Sequence, residues 1–122
     1  MKWETVRQYC LSKPQTQEDY PFDAETLVIK VGGKMFALLG SPPKENASGS
    51  VNLKCDPEWA LMLRDTYQAV TAGYHMNKRH WNTVILDGSI PDEEVVEMID
   101  HSYDLVVRGL PKRTRQDLGL AE

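Results

Sequence analysis

The residues best suited to contact a charged or aromatic partner lie together in segment 74–82, inside the stretch GYHMNKRHWNTVIL that begins at Gly73. Lys and Arg neutralise phosphates, aromatic rings stack on bases, and amides bind base edges or phosphates. Histidine adds positive charge below about pH 6.5. The candidate nucleic-acid-binding residues are His75, Asn77, Lys78, Arg79, His80 and Trp81. The segment therefore favours a surface for phosphates or flat rings.

A structural role also accounts for this segment. Tyr74 and Trp81 are large enough to pack in a core or on an edge strand, and loop cations such as Lys78 and Arg79 are commonly just solvated. Two fixed cations supply only modest affinity for phosphates. Stronger binding needs a second protomer or cations from elsewhere in the chain. Those cations are Lys30, Lys54, Lys112, Arg113 and Arg115.

The sequence contains no recognisable motif for dinucleotide or phosphate-loop binding, for zinc binding or for hydrolytic catalysis. The Gly32-Gly33 pair lacks the spacing and the following helix of a dinucleotide site or a P-loop. His75 and His80 have no cysteine pair nearby, so a tetrahedral zinc site is not assembled locally. No serine or cysteine has the local signature of a hydrolytic triad. We therefore predict no catalytic residue, no cofactor and no metal, and a protein that is not an enzyme.

Length and composition indicate one globular domain. The chain has 122 residues, of which 41% are hydrophobic and 26% charged, and this length can bury a core without disulfides. No window approaches the roughly 20 apolar residues of a membrane helix, and the first ten residues lack the apolar run of a signal peptide. We expect a cytoplasmic protein without a membrane partner, in which Cys10 and Cys55 are reduced and partly buried.

The charge distribution is uneven. The net charge of −4 counts against DNA as a partner, because DNA-binding domains usually carry a basic excess. The acids are concentrated between Asp92 and Asp104, where His101 lies among them and is expected to be solvated or paired with a carboxylate. A basic cluster follows at 112–115. A local basic face is therefore compatible with an acidic protein.

The elements that must position the segment follow from periodicity. Apolar spacing predicts helices over 2–11, 58–67 and the stretch from Pro91 to Gly109, with the second covered on more than one side. Strands are predicted within 27–39, 51–55, 69–71 and 82–86. The fold class is α+β: a single compact domain with helices packed on an antiparallel sheet, in the order α-β-β-β-α-β-β-α.

Two details of this scheme are specific. Gly32-Gly33 is predicted to form a two-residue hairpin turn. Its strands then pair Val31 with Lys34, Ile29 with Phe36 and Leu27 with Leu38. The stretch 15–25 has no period and is interpreted as a loop whose aromatic residues point inward. The domain spans residues 1–111, and residues 112–122 form a basic tail that is expected to fray.

Four segments in order resemble the MmcQ/YjbR-like family of small bacterial proteins: PFDAETLVIKVGGKMFALL, VNLKCDPEWALMLR, GYHMNKRHWNTVILDG and MIDHSYDLVV. The resemblance runs from the first helix to about Pro111. It implies DNA binding and a frataxin-like, double-wing α/β fold. The family's HMNKRHWN segment falls on His75 to Asn82, and its NLKCDP segment on Asn52 to Pro57. The acidic iron-binding helix of frataxins does not carry over, because the acids here lie on the last helix.

The sequence and the resemblance together favour a cytoplasmic, non-enzymatic DNA-binding protein that contacts duplex phosphates through segment 74–82. The alternative is a protein-interaction or small-ligand-binding module. In that alternative the acidic last helix meets a basic protein partner, and an aromatic pocket is lined by Tyr20, Phe22, Tyr74 and Trp81. The net charge of −4 favours the alternative.

Overall fold

A computed structural model of the protein describes residues 1–73 and 76–120. In chain order its elements are α1 (Trp3–Leu11), β1 (Thr16–Asp19), β2 (Leu27–Val31), β3 (Lys34–Gly40), β4 (Ser50–Lys54), α2 (Pro57–Thr66), β5 (Val70–Ala72), β6 (Trp81–Ile85), α3 (Asp92–Gly109) and α4 (Lys112–Asp117). Within the described residues the strands form one antiparallel sheet in the order β1-β2-β3-β4-β6-β5. The predicted α+β class is confirmed.

Three helices lie side by side against the sheet, with α3 in the middle. The Tyr9 hydroxyl of α1 donates a hydrogen bond to Asp100 of α3 at 2.6 Å. On the other side, the Trp59 ring of α2 meets the His101 ring edge-on, with 4.7 Å between centroids. The inward stripe of α3 consists of Val95, Ile99, Tyr103, Val106 and the following Leu110, which are all buried.

Strands β4 and β6 have one face covered by helices and one that stays partly open. Leu53 and Val84 are buried and line one small internal cavity with Leu63 of α2 and Met98 of α3. The residues that alternate with them are only half-buried. Cross-strand partners share a face, so the pairs Lys54–Trp81 and Asn52–Thr83 lie together on the opposite side. We call the surface formed by these four residues the open face.

The predicted hairpin turn is confirmed, because Gly32 and Gly33 have φ values of 59° and 79° and Val31 pairs with Lys34. Positive φ at both positions suits the right-handed twist of the flanking strands. The remaining predicted pairing is wrong. Ile29 pairs with Ala37 instead of Phe36, and Leu27 pairs with Gly40 instead of Leu38, because two irregularities shift the register.

The shift between Ile29 and Lys30, which leaves Phe36 as the extra residue of β3, coincides with contacts from α3. Phe36 packs its ring edge-on against Tyr103, with 5.3 Å between centroids. The buried Ser102 hydroxyl donates to the Phe36 carbonyl at 2.6 Å and accepts from the Lys54 amide at 2.9 Å. Ser102 thus bridges β3 and β4 where the ladder between them is short. The extra residue in β3 is a β-bulge supported by a helix side chain.

Strand β1 lies inside the stretch 15–25 that was predicted to be a loop. Its sequence, TQED, has no apolar alternation, so the usual strand signal is absent. Ion pairs support it instead: Arg7 contacts Glu18 at 2.8 Å, and Lys30 contacts Asp19 at 2.7 Å. The expected inward packing of the aromatic residues after β1 is also wrong, because they are exposed.

One further expectation differs from the structure, at α2. Helix α2 is covered on one side only, and Leu61 and Met62 are 59% and 63% exposed. The stretch expected to fray contains the short helix α4, and Leu120 beyond it packs against the core.

Among residues 1–73 and 76–120, no helix has both the length and the apolar character needed to cross a membrane.

Candidate nucleic-acid interface

The candidate segment connects β5 to β6 at one end of the sheet. Tyr74 and His75 lie outside the described residues. The ends of the connection are fixed by backbone hydrogen bonds: the Gly73 amide donates to the Trp81 carbonyl at 2.8 Å, and the Cys55 amide donates to the His80 carbonyl at 2.8 Å. We call this end, where β4 finishes and β6 begins, the loop end.

Asn77 organises the tip of this connection. Its side-chain oxygen accepts a hydrogen bond from the Arg79 amide at 3.0 Å. Its backbone carbonyl accepts from the amides of His80 and Trp81, at 3.2 and 3.0 Å. Such local bonds are typical of asparagine in turns. Asn77 therefore has a structural role in the turn, and its contact with a nucleic acid stays a prediction.

Lys78 and Arg79 are both exposed at this tip. The Lys78 ammonium donates to the Gly73 carbonyl at 3.2 Å, which holds it near the base of the turn. Within the described part of the chain, neither side chain forms an ion pair with a carboxylate. Both cations are therefore available to an anionic partner.

Arg64 of α2 anchors the loop from behind. Its Nε donates to Asn82 Oδ1 at 2.7 Å, and its Nη2 donates to the carbonyls of Lys78 and, at 3.4 Å, Trp81. Asn82 is only 2% exposed, and its amide nitrogen reaches the Ala60 carbonyl at 3.4 Å. One guanidinium thus ties the helix to a buried strand residue and to the loop backbone.

Sequence reasoning missed Arg64 and assigned no role of its own to Asn82. A usable signal was present for Asn82, because it occupies the buried position in the alternation of β6, where an apolar residue is expected. A buried amide needs hydrogen-bond partners. Arg64 had no local signal, since its partners lie 14 to 18 residues further along the chain.

Trp81 lies on the open face and is half-buried. Its cross-strand partner is Lys54, so the two side chains share that face. The approach of the loop to Trp81 requires glycine at position 73, because a Cβ there would lie 2.9 Å from the Trp81 Cβ and 3.0 Å from its carbonyl oxygen. The structure thus places an aromatic residue beside a lysine on one face, at the start of the strand that follows the loop with the exposed cations.

The other cations predicted to strengthen binding are less well placed. Lys30 lies on β2, two strands beyond β4, and is paired with Asp19 at 2.7 Å. The α4 cations follow Leu110, which contacts the turn at Gly32, so they share the loop end but not the edge beside β6. Lys54 is therefore the additional cation that the fold brings next to Trp81.

His101 of α3 supports the same end of the sheet. Its Nε2 accepts a hydrogen bond from the Asp56 amide at 3.0 Å, and it forms no ion pair with a carboxylate among the residues that the structure describes. Burial lowers the pKa of His101, although the negative charge of Asp56 acts to raise it. The adjacent Cys55 amide donates to the His80 carbonyl. His101 and His80 therefore bind two consecutive backbone amides at the junction between β4 and α2.

Both cysteines are free and buried. Burial raises the pKa of Cys10 to about 12 and that of Cys55 to about 12. They therefore remain protonated thiols at neutral pH. Across residues 1–73 and 76–120, no group of three or more His, Cys, Asp or Glu side chains is arranged to hold a metal ion.

The predicted aromatic pocket does not form as proposed. Tyr20 and Phe22 are 49% and 66% exposed in the connection that follows β1. That connection is at the far end of the sheet from the loop end, on the opposite edge from Trp81. Tyr74 lies outside the described residues. Long-range topology, which local aromatic spacing does not reveal, keeps Tyr20 and Phe22 away from Trp81.

The fold and this loop define a class of small single-domain proteins with helices on one side of an antiparallel sheet and a basic-aromatic loop at one end. The YjbR family model matches residues 11–105. The uncharacterized protein YjbR of Escherichia coli strain K12 is 38% identical, over 89% of this chain and 90% of the relative. YyaQ of Bacillus subtilis is 29% identical, over 84% and 95%. The chain belongs to the YjbR family, as its resemblance predicted.

Solved structures agree with this assignment. A crystal structure of Deinococcus radiodurans protein DR2400 has a TM-score of 0.87 and 40% identity, covering 98% of this chain and 88% of that one. A Pseudomonas syringae protein gives a TM-score of 0.73 and 29% identity, covering 86% and 98%. These likenesses confirm the fold over most of the chain, while DNA binding and the double-wing description stay predictions.

Proposed function

We propose that this protein binds DNA, with Lys78 and Arg79 contacting backbone phosphates at the loop end. The observation that supports the proposal most directly is the state of these two side chains. They are exposed at the tip of an anchored turn and make no ion pair with any described carboxylate. A fixed backbone lowers the entropy lost when such cations bind a phosphate.

The charge distribution is compatible with this role despite the net charge of −4. The acidic first turn of α3, Asp92 to Glu94, follows the far end of β6, whereas the loop precedes its near end. Five strand residues separate the ends by roughly 17 Å at about 3.3 Å each. This exceeds the Debye length of about 8 Å at physiological salt. A phosphate at the loop is therefore largely screened from those acids.

Several acids on α3 are also engaged within the protein. Asp92 pairs with the N-terminal ammonium at 2.8 Å, Asp100 pairs with Lys13 at 2.5 Å, and Glu94 accepts a hydrogen bond from Tyr67. These contacts weaken the alternative in which the last helix binds a basic partner. We place the DNA-binding activity in the cytoplasm and assign it no catalytic step.

The test is fluorescence anisotropy of a labelled DNA duplex across a salt series. The variants are Lys78→Ala/Arg79→Ala and a charge-matched control, Lys2→Ala/Lys44→Ala, whose lysines are exposed at the end opposite the loop. Each lost phosphate contact lowers the slope of log K against log salt by about 0.9. We expect the slope to fall by about 2 in the loop variant and to stay at the wild-type value in the control.

Two outcomes contradict the proposal. The first is no duplex or single-strand binding by the wild type at low salt, which would turn attention to the exposed Leu61 and Met62 as a protein-contact surface. The second is an equal loss of affinity in the loop variant and the control, because that would mean the cations act only through net charge.

A further inference from the structure

We propose that the preferred ligand is single-stranded nucleic acid, with one unpaired base stacked on Trp81 and the adjoining phosphates on Lys54, Lys78 and Arg79. This inference rests on the proposed function and adds to it the class of nucleic acid and the base contact. The evidence for this inference is the arrangement of residues on the open face, together with the loop.

The open face brings together the groups that a single strand requires. Trp81 presents a half-buried ring, and Lys54 stands opposite it on the neighbouring strand. One pair further along the same face, the Thr83 hydroxyl donates to the Asn52 side chain, which makes the surface below the ring polar. Aromatic rings beside cations on a sheet surface suit bases and the backbone that joins them.

A duplex cannot use this ring in the same way. Both faces of a paired base are covered by its stacked neighbours, so stacking on a side chain requires an unpaired or displaced base. Trp81 is also on an inner strand, between β4 and β5. Three strands about 4.8 Å apart form a platform about 10 Å wide before side chains are counted. Such a platform exceeds the minor-groove width of about 6 Å, and the major groove, about 12 Å wide, presents base edges and not the faces on which a ring stacks.

The loop places phosphates beside this base site. Trp81 follows Arg79 in the chain with only His80 between them. The Trp81 amide donates to the Asn77 carbonyl at 3.0 Å, so the strand residue that carries the ring is tied to the turn. Lys54 lies on β4, whereas the Lys78 ammonium contacts the carbonyl of Gly73, which follows β5, so these two cations lie on opposite sides of β6. A chain that passes from Lys78 and Arg79 over Trp81 towards Lys54 therefore meets cation, ring and cation in succession.

The test compares three fluorescent probes of equal length: oligo(dT), oligo(rU) and a DNA duplex. The variants are Trp81→Leu, which removes the flat ring, and Trp81→Phe, which keeps a smaller one. Loss of one base-stacking contact corresponds to about a 5- to 150-fold loss of affinity. We expect a loss in this range for Trp81→Leu with single strands, a smaller loss for Trp81→Phe, and little change with the duplex.

Intrinsic fluorescence provides a second readout that does not depend on the stability of Trp81→Leu. The chain has three tryptophans, and Trp3 is buried at 7% exposure. We expect oligo(dT) to quench the wild type and the matched control Trp59→Phe but not Trp81→Phe. Comparison of oligo(dT) with oligo(rU) then tells whether the sugar of DNA or of RNA is preferred.

The outcomes separate this inference from the proposed function. Duplex bound as tightly as single strands, or equal quenching in Trp81→Phe and the wild type, overturns the inference and leaves phosphate binding intact. Absence of binding to all three probes overturns both. Binding of single strands alone supports the inference and removes duplex DNA from the proposed function.

Discussion

The two faces of β4 and β6 are built from alternate residues of the same short strands, yet they differ in every physical respect. On the helix side, Leu53 is 2% and Val84 is 1% exposed, and the one polar residue there, Asn82, is held by Arg64. On the open face, Lys54 and Trp81 are half-buried and lie beside exposed cations. The covered face carries the stability, and we assign binding to the open one.

This difference shows how a small protein can separate stability from ligand binding. Alternation sends consecutive side chains to opposite faces, so a strand can contribute to the core and to a ligand surface without compromise. Arg64 connects the two, because it is bonded to a core residue and to the backbone of the loop. Variants placed on either face, or on this connection, should therefore have separable effects.

The largest expected effect is on the covered face. Leu53→Ala removes buried methyl groups and leaves a cavity, so we expect the free energy of unfolding to fall by about 2–5 kcal/mol. Its neighbour in sequence provides the control: Lys54→Ala on the open face should change stability by no more than about 0.5 kcal/mol. Urea denaturation of both variants measures the contrast, and similar losses in the two would show that the faces are not energetically distinct.

A smaller effect on stability is expected at Arg64, which connects the two faces. Arg64→Met keeps the length and apolar stem of the side chain but leaves the Asn82 oxygen without its donor, so stability should fall by about 1–3 kcal/mol. Amide hydrogen exchange should also speed up in residues 76–81, since the loop loses its anchor. Unchanged exchange in those residues would mean that Arg64 stabilises only the core.

The smallest effect concerns pH and His101. Burial lowers its pKa in the folded state, so the unfolded chain binds the proton more readily. Its contribution to stability is therefore complete above its usual pKa of about 6.5 and is lost as the pH falls below it. Solvent reaches the half-buried ring, so the change should stay under about 1 kcal/mol.

Replacement of His101 by glutamine tests this dependence, because a glutamine oxygen can accept from the Asp56 amide without titrating in this range. Urea denaturation at pH 7.5, 6.5 and 5.5 should show the wild type losing more stability than His101→Gln. Parallel loss in the two proteins would show that other groups account for the acid response, including the neighbouring Glu97, Asp104 and Arg108.

Local patterns were enough for most elements of the fold. Apolar spacing predicted the helix over 2–11, and Trp3, Val6 and Cys10 are the buried residues of α1. It also predicted the helix over 58–67, and α2 begins one residue earlier, at Pro57, where the Asp56 side chain accepts from the Glu58 amide at 3.0 Å. Prediction failed at β1, because a polar edge strand held by ion pairs has no hydrophobic period. It also failed at Leu61 and Met62, where an apolar run was interpreted as burial.

Local sequence was sufficient to predict the α+β class, the hairpin turn at Gly32-Gly33 and the family, because periodicity, turn glycines and motifs are properties of neighbouring residues. Three other features are seen only in the folded protein: Arg64 anchors the loop, Ser102 supports the bulge in β3, and Lys54 rather than Lys30 lies beside Trp81. These contacts join residues far apart in the chain. They depend on strand order and register, which local sequence does not encode.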